Sequence, residues 1–497
     1  MLTLVLVTLA LIVGWVGLEV YLAYTAKPSI KVNYGEKLRE LAEDWQFGGE
    51  ENAWPVLLEV IEIHNEKLAS FRDEETGWDW LSTAYGYDAI TNYDYYMSSI
   101  GRGYLQIEGS SEKGMQLVEL HRKWAFESIT SFGELGILSR LDTIAQSRSA
   151  LMQIPDSQIM DSQFALSPVY GEARSFVRSL EATMVWSASR GDWKRYEFAF
   201  EHCLAIGRIV MMQPSMSARI VGTGIRGVAL GRLREHLVGG AIPPSIVPAL
   251  RDAYLRQANL PSKRYSLEAG RLVSLDELQR VFTAFGRVIP VEFSQDPVTG
   301  TSAHWIYNMT SIWQPRWANS RDEFNLRYDR CVELVEMPRW QRITQPDYRC
   351  ASLVDYANSH ESLTSIIEQA ATASFYGDAY DMQDASEQGA ELMLAIESLS
   401  YEKGRYPTSL EELVPEYMDE LPLDPYAMDP KIWQYRLLDG STQDGRPYVL
   451  YSVGIDGDDD GGLVPAGKSP GAALSADIVT GESPDMDYVV TAKYRQP

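Results

Sequence analysis

Four carboxylates crowd into five positions of the run GIDGDDDGG: Asp456, Asp458, Asp459 and Asp460. Like charges at that density repel one another unless water solvates them or a cation neutralises them, and a hard cation with oxygen ligands suits carboxylates best. Asp456, Asp458 and Asp460 alternate and Gly461 follows, which reproduces the first half of a D-x-D-x-D-G loop. That spacing aims successive carboxylates at one ion, and the glycine permits a sharp turn. Calcium is therefore the cofactor the pattern points to. The second half of an EF-hand is missing, because Gly467 stands where a bidentate Glu is needed and the strand-like YVLYSV precedes the loop in place of a helix. Two readings stay open: a calcium turn hung on a β-strand, or a solvated acidic turn between two strands.

The elements that must position this turn form the acidic tail of the chain. From Asp384 onward there are 22 Asp and Glu against 8 Lys and Arg, in a protein of net charge −25. SEQGAELMLAIESLSYEKG predicts a helix that stops at Gly404, with Lys403 near its negative pole. SLEELVPEY predicts a short second helix with Ser409 as cap and Glu412 completing a capping box. KIWQYRLL, YVLYSV and DYVVTA are β-branched and aromatic runs separated by turn residues, and they predict an antiparallel sheet.

The order KGRYP, LEELVPEYMDELPLDPY, a Tyr-containing strand, YVLYSVGIDG and a later ADI resembles the C-terminal globular domain of the major pseudopilins of type II secretion. The resemblance covers residues 384–497. It implies a small antiparallel sheet whose last loop holds calcium, with ligand roles for Asp456 and Asp477 and for backbone carbonyls near Leu450 and Ser452. Asp458 and Asp460 are added from the alternating spacing alone. A pseudopilin carries its hydrophobic helix directly before this domain, whereas here the apolar run lies more than 350 residues upstream. The whole layout resembles a group of bacterial proteins that join an N-terminal anchor, a helical body and a pseudopilin-like tail.

That apolar run is LTLVLVTLALIVGWVGLEVYLAY, residues 2–24, long enough at 1.5 Å per residue to cross a hydrocarbon core of about 30 Å. Trp15, Tyr21 and Tyr24 suit a headgroup belt. A cleaved signal peptide is the rival, but YTA is a poor cleavage site and no basic residue precedes the run. Lys27, Lys31, Lys37 and Arg39 follow it, which taken literally places the body in the cytoplasm. A calcium loop and the periplasmic setting of pseudopilins argue the other way. The expectation is a single-pass inner-membrane protein with its bulk outside the cytoplasm.

Between anchor and tail, apolar residues recur three and four apart, as in Trp54, Leu57, Leu58, Ile61 and in Phe176, Leu180, Met184, the pattern of helices with one buried stripe. Residues 172–213 resemble a tetratricopeptide hairpin with Gly191, Asp192 and Trp193 at the turn, although no second copy follows at the required period. The aromatic stretches 77–99 and 287–320, the latter with His304, Trp305, Trp313 and Trp317, read either as surface loops anchored by buried rings or as a binding surface.

The fold class expected is mainly α with a C-terminal α+β module: a helical hairpin array followed by a helix packed on a small antiparallel sheet. Residues 1–26 form the anchor, 27–375 the body and 384–497 the calcium-binding tail. The net charge argues against a nucleic-acid partner. Cys203, Cys331 and Cys350 are too few for a disulfide framework, with a Cys331–Cys350 pair and buried thiols both open. No histidine sits in H-E-x-x-H spacing, and His202 and Cys203 are adjacent on a helix and point about 100° apart. No catalytic residue is singled out. The functional expectation is a non-enzymatic scaffold with a membrane and a protein as partners, against an envelope enzyme built around His304 or His360 and against an accessory of a secretion or pilus machine.

Overall fold

The computed structural model describes residues 30–45, 52–75, 137–154, 159–280, 317–346, 376–438, 447–462 and 488–491, with scattered positions between 8 and 21. The chain is mainly helical, with a small three-stranded antiparallel sheet near its C-terminus. The helices are α1 (Tyr34–Trp45), α2 (Ala53–Glu75), α3 (Ile137–Gln146), α4 (Ile159–Arg190), α5 (Trp193–Met211), α6 (Met216–Val238), α7 (Val247–Arg256), α8 (Lys263–Arg280), α9 (Trp317–Glu336), α10 (Arg339–Arg342) and α11 (Tyr376–Lys403). The strands are β1 (Gln434–Leu437), β2 (Tyr448–Ser452) and β3 (Tyr488–Val489).

The middle of the body is set by local chemistry. Gly191 takes a φ of 71° between α4 and α5, and the Asp192 carboxylate accepts the Arg195 backbone N–H at 3.3 Å, so the turn and the cap fall where the sequence predicts. Ser215 caps α6 in the same way. The α5–α6 crossing depends on two glycines that face each other. A Cβ on Gly207 would lie 2.9 Å from the Gly222 carbonyl oxygen, and one on Gly222 would lie 2.5 Å from the Gly207 carbonyl oxygen. Backbone meets backbone there, and no side chain fits between.

Two apolar cores share one helix. The larger runs through α1 to α9 and takes in Tyr380, Ala390 and Leu394 of α11. The smaller takes Ala385, Leu392, Ile396 and Leu399 from other faces of α11 and closes them against Tyr426, Trp433, Tyr448 and Leu450. Strand order is β1-β2-β3, with Tyr435 opposite Leu450 and Ser452 opposite Tyr488. Gly389 lets the helix approach the sheet, since a Cβ there would come within 2.8 Å of Val490. The helix begins at Tyr376, ahead of the tail boundary expected at 384, because its first turns pair with the body through polar side chains that show no apolar stripe.

SLEELVPEY differs from its prediction. Only Leu410–Leu413 is helical, as a 3-10 turn, and Ser409 makes no side-chain cap bond to it. Glu412 reaches back one residue further, to the N–H and hydroxyl of Thr408 at 2.7 and 2.6 Å, and pairs with Arg405.

The apolar run 2–24 lies mostly outside the described residues, as do the stretches 77–99 and 287–316. Among the described residues no helix is long and apolar enough to cross a membrane. Cys203 and Cys331 are buried, and Cys350 lies outside the described residues.

The glycine crossing makes a discriminating test. Gly207→Ala is expected to destabilise the full chain by about 2–3 kcal/mol through overpacking. Gly171→Ala on α4, whose Cβ would meet nothing within 4 Å, should be neutral or slightly stabilising. Urea unfolding of both variants checks the contrast.

Candidate metal centre

Strand β2 delivers the acidic turn, and a buried carboxylate braces its root. Asp424, 4% exposed, comes from the loop LPLDPY. One of its oxygens accepts the Ser452 hydroxyl at 2.6 Å and the Tyr426 N–H at 2.9 Å, and the other accepts the Val453 N–H at 3.0 Å. Burial raises the Asp424 pKa, and these donated hydrogen bonds oppose the rise. The sequence offered a signal for this residue, an Asp-Pro pair flanked by apolar residues, but nothing in its own neighbourhood names the strand it would brace.

Beyond the brace the chain turns on glycines. Gly454, Gly457, Gly461 and Gly462 all have φ between 73° and 79°, a region that side chains with a Cβ rarely enter. Asp456 accepts the Asp458 N–H at 3.3 Å, and Asp459 accepts the Gly461 N–H at 2.9 Å and the Tyr451 hydroxyl at 3.0 Å. Gly462 folds against Val449 and Tyr451, and Gly457 against Met428. Arg339 of α10 donates to the Ile455 carbonyl at 2.9 Å, so a body residue holds the position just before Asp456.

Of the ligands expected for calcium, Asp456, Asp458 and Asp460 lie together in this turn, and Asp477 lies outside the described residues. Of the backbone carbonyls expected near Leu450 and Ser452, that of Leu450 accepts the Val490 N–H at 2.9 Å across the sheet, and the Ser452 hydroxyl donates to Asp424. Among the described residues no three His, Cys, Asp or Glu side chains are grouped closely enough to hold a metal ion. Asp456, Asp458 and Asp460 therefore share one turn but form no such group among the described residues.

No family model, curated protein or solved structure matches the chain. The site must therefore be judged on its own chemistry, and so must every other spelling that suggests one.

Three such spellings occur in the sequence. GLVPAGKS at 462–469 fits G-x-x-x-x-G-K-S, and GKSPG at 467–471 fits G-x-S-x-G. GTGIRG at 222–227 fits G-x-G-x-x-G. The last lies inside α6, where Gly222 serves the helix crossing, so it is no phosphate loop. The first follows four aspartates that would repel a phosphate. Its residues 463–469 lie outside the described residues, as do His304 and His360. Among the described residues one serine–histidine contact has nucleophile geometry, His64 Nε2 to Ser179 Oγ at 2.9 Å, with both residues at most 1% exposed and Phe176 stacked edge-on. It is a buried hydrogen bond between α2 and α4.

Removing the brace gives the first test of this turn. Asp424→Ala strands two buried N–H groups and a hydroxyl and is expected to cost about 2–4 kcal/mol, with hydrogen exchange rising at residues 452–457. A second test uses pH. The Arg405 and Thr408 bonds lower the Glu412 pKa to about 2. A carboxylate held below its unfolded value stabilises above that value and loses the contribution as pH falls. Protection of the 408–414 turn should thus decline between about pH 4.3 and pH 2, and Glu412→Gln should abolish that dependence.

Proposed function

We propose that this protein is a membrane-anchored, non-enzymatic scaffold of the bacterial cell envelope, whose pseudopilin-like tail carries a structural calcium site. The observation that carries the reading is α11, which contributes side chains to both cores and so packs the tail against the helical body. A scaffold needs that: a surface feature carried on a packed body. The exit from the apolar run supports it too. The Gln279 side chain accepts the Lys31 and Val32 N–H groups and donates to the Val32 carbonyl, clamping the emerging chain to α8. Every described position in the apolar run is exposed, including Leu11 at 69% and Val13 at 64%, on a stretch whose side chains suit lipid. A helical hairpin array in the body, an extracytoplasmic location and an unidentified protein partner complete the proposal.

In this reading calcium neutralises Asp456, Asp458, Asp460 and Asp477 and steadies the last strands, so part of its binding free energy appears as folding stability. The test is thermal unfolding of the full chain in millimolar calcium, in chelator, and again as Asp456→Ala. Calcium is expected to raise the midpoint by a few degrees, about what a ligand at 100 times its Kd supplies to a large chain. The substitution should remove that gain. An unchanged midpoint would reduce the turn to a solvated loop and leave the pseudopilin likeness one of fold alone.

A further inference from the structure

Arg339 stands where three parts of the molecule meet. Its Nη2 donates to the Ile455 carbonyl at 2.9 Å, and its Nη1 lies 3.5 Å from Oδ2 of Asp381 on α11. Its guanidinium sits over the Tyr426 ring, 5.2 Å from the centroid. Arg342, three residues further along the same one-turn helix, contacts the same Asp381 oxygen. The Asp381 and Arg342 side chains are each 4% exposed and that of Arg339 is 11%. Nearby, Lys263 of α8 pairs with Asp384 one turn along α11.

The geometry divides the work at the root of the turn. Asp424 holds Ser452, Val453 and Tyr426 from within the tail. The next anchor, at Ile455, comes from the body through Arg339, and Ile455 is itself only 7% exposed. A guanidinium can serve two acceptors at once because its donors form a rigid planar fork, which an ammonium group cannot reproduce. If Arg339 withdraws, a buried carbonyl loses a donor and Asp381 keeps only one of two arginines, and each loss weakens the other side.

We propose that Arg339 is a latch coupling the acidic turn to the helical body, so that the turn and the first turns of α11 open together. The coupling needs no bound ion and stands independently of the calcium site. The test is hydrogen exchange by mass spectrometry on the full chain in chelator, comparing wild type with Arg339→Gln and Arg339→Lys. Arg339→Gln is expected to speed exchange about tenfold both at 453–462 and at 379–386, while 200–211 of α5 and 448–451 of β2 stay unchanged. Arg339→Lys should give the same two-region pattern at smaller amplitude. Faster exchange in one region alone, or a lysine variant indistinguishable from wild type, overturns the latch. If the glutamine variant loses protection everywhere, α5 included, the lysine variant decides by the same two regions.

Discussion

The fully buried Arg226 is the contact on which the relation of body to tail depends. Its side chain is 1% exposed, and its fork meets both oxygens of Glu387 on α11 at 2.5 and 2.7 Å. Its remaining nitrogen donates to the carbonyls of Leu204 and Gln257. Four segments therefore converge on one guanidinium: α5, α6, the end of α7 and α11. A buried ion pair is a poor source of net stability, because desolvation consumes most of the Coulomb gain. What it supplies is selectivity. Any shift of α11 along α6 strands a charge in the core at a cost of about 3–5 kcal/mol, whereas an apolar seam would tolerate sliding. The close approach of Gly207 and Gly222 is part of the same arrangement, since Arg226 packs directly over Gly207.

The charge distribution takes on meaning from that seam. The tail holds 14 of the 25 excess negative charges, and the body meets it with arginines as well as with the apolar contacts of the two cores. Arg219 meets Gln383, Arg234 meets the Tyr488 hydroxyl, and Arg251 meets the Tyr417 carbonyl. Arg219 also lies over the Tyr380 ring, and Arg251 over the Tyr417 ring. Inter-domain surfaces within one chain are ordinarily polar and permit motion. Here Arg219 and Arg226 are buried and each makes several directed hydrogen bonds, while Arg234 and Arg251 are partly exposed.

How much of this was legible in the sequence depended on range. Asp192 and Gly404 could be read as a turn and a stop because the groups they serve lie within a turn of them. The three strands could be read from β-branched and aromatic runs. Asp424 and Asp456 look alike in sequence, yet the first is a buried brace and the second lies in a glycine turn, and the difference is made by Ser452 and Val453 nearly thirty residues away. The first turns of α11 escaped notice for a related reason. Tyr380, Gln383 and Glu387 form a stripe that is polar because its partners are arginines, and hydrophobic periodicity cannot see a stripe of that kind. The same blindness works in reverse for GTGIRG, whose glycines spell a phosphate loop and pack a helix crossing.

The turn itself shows why an acidic cluster can keep its shape before any question of an ion arises. Four glycines at positive φ set its path, and Asp456 and Asp459 each use a carboxylate oxygen to accept a backbone N–H two residues on. Those bonds draw negative charge toward the backbone and spread the carboxylates along the turn, which lowers the repulsion that four neighbouring aspartates would otherwise feel. Asp424 on one side and Arg339 on the other then fix where the turn begins. The path of the turn is thus set by its protein surroundings, with glycines along it and Asp424 and Arg339 at its root.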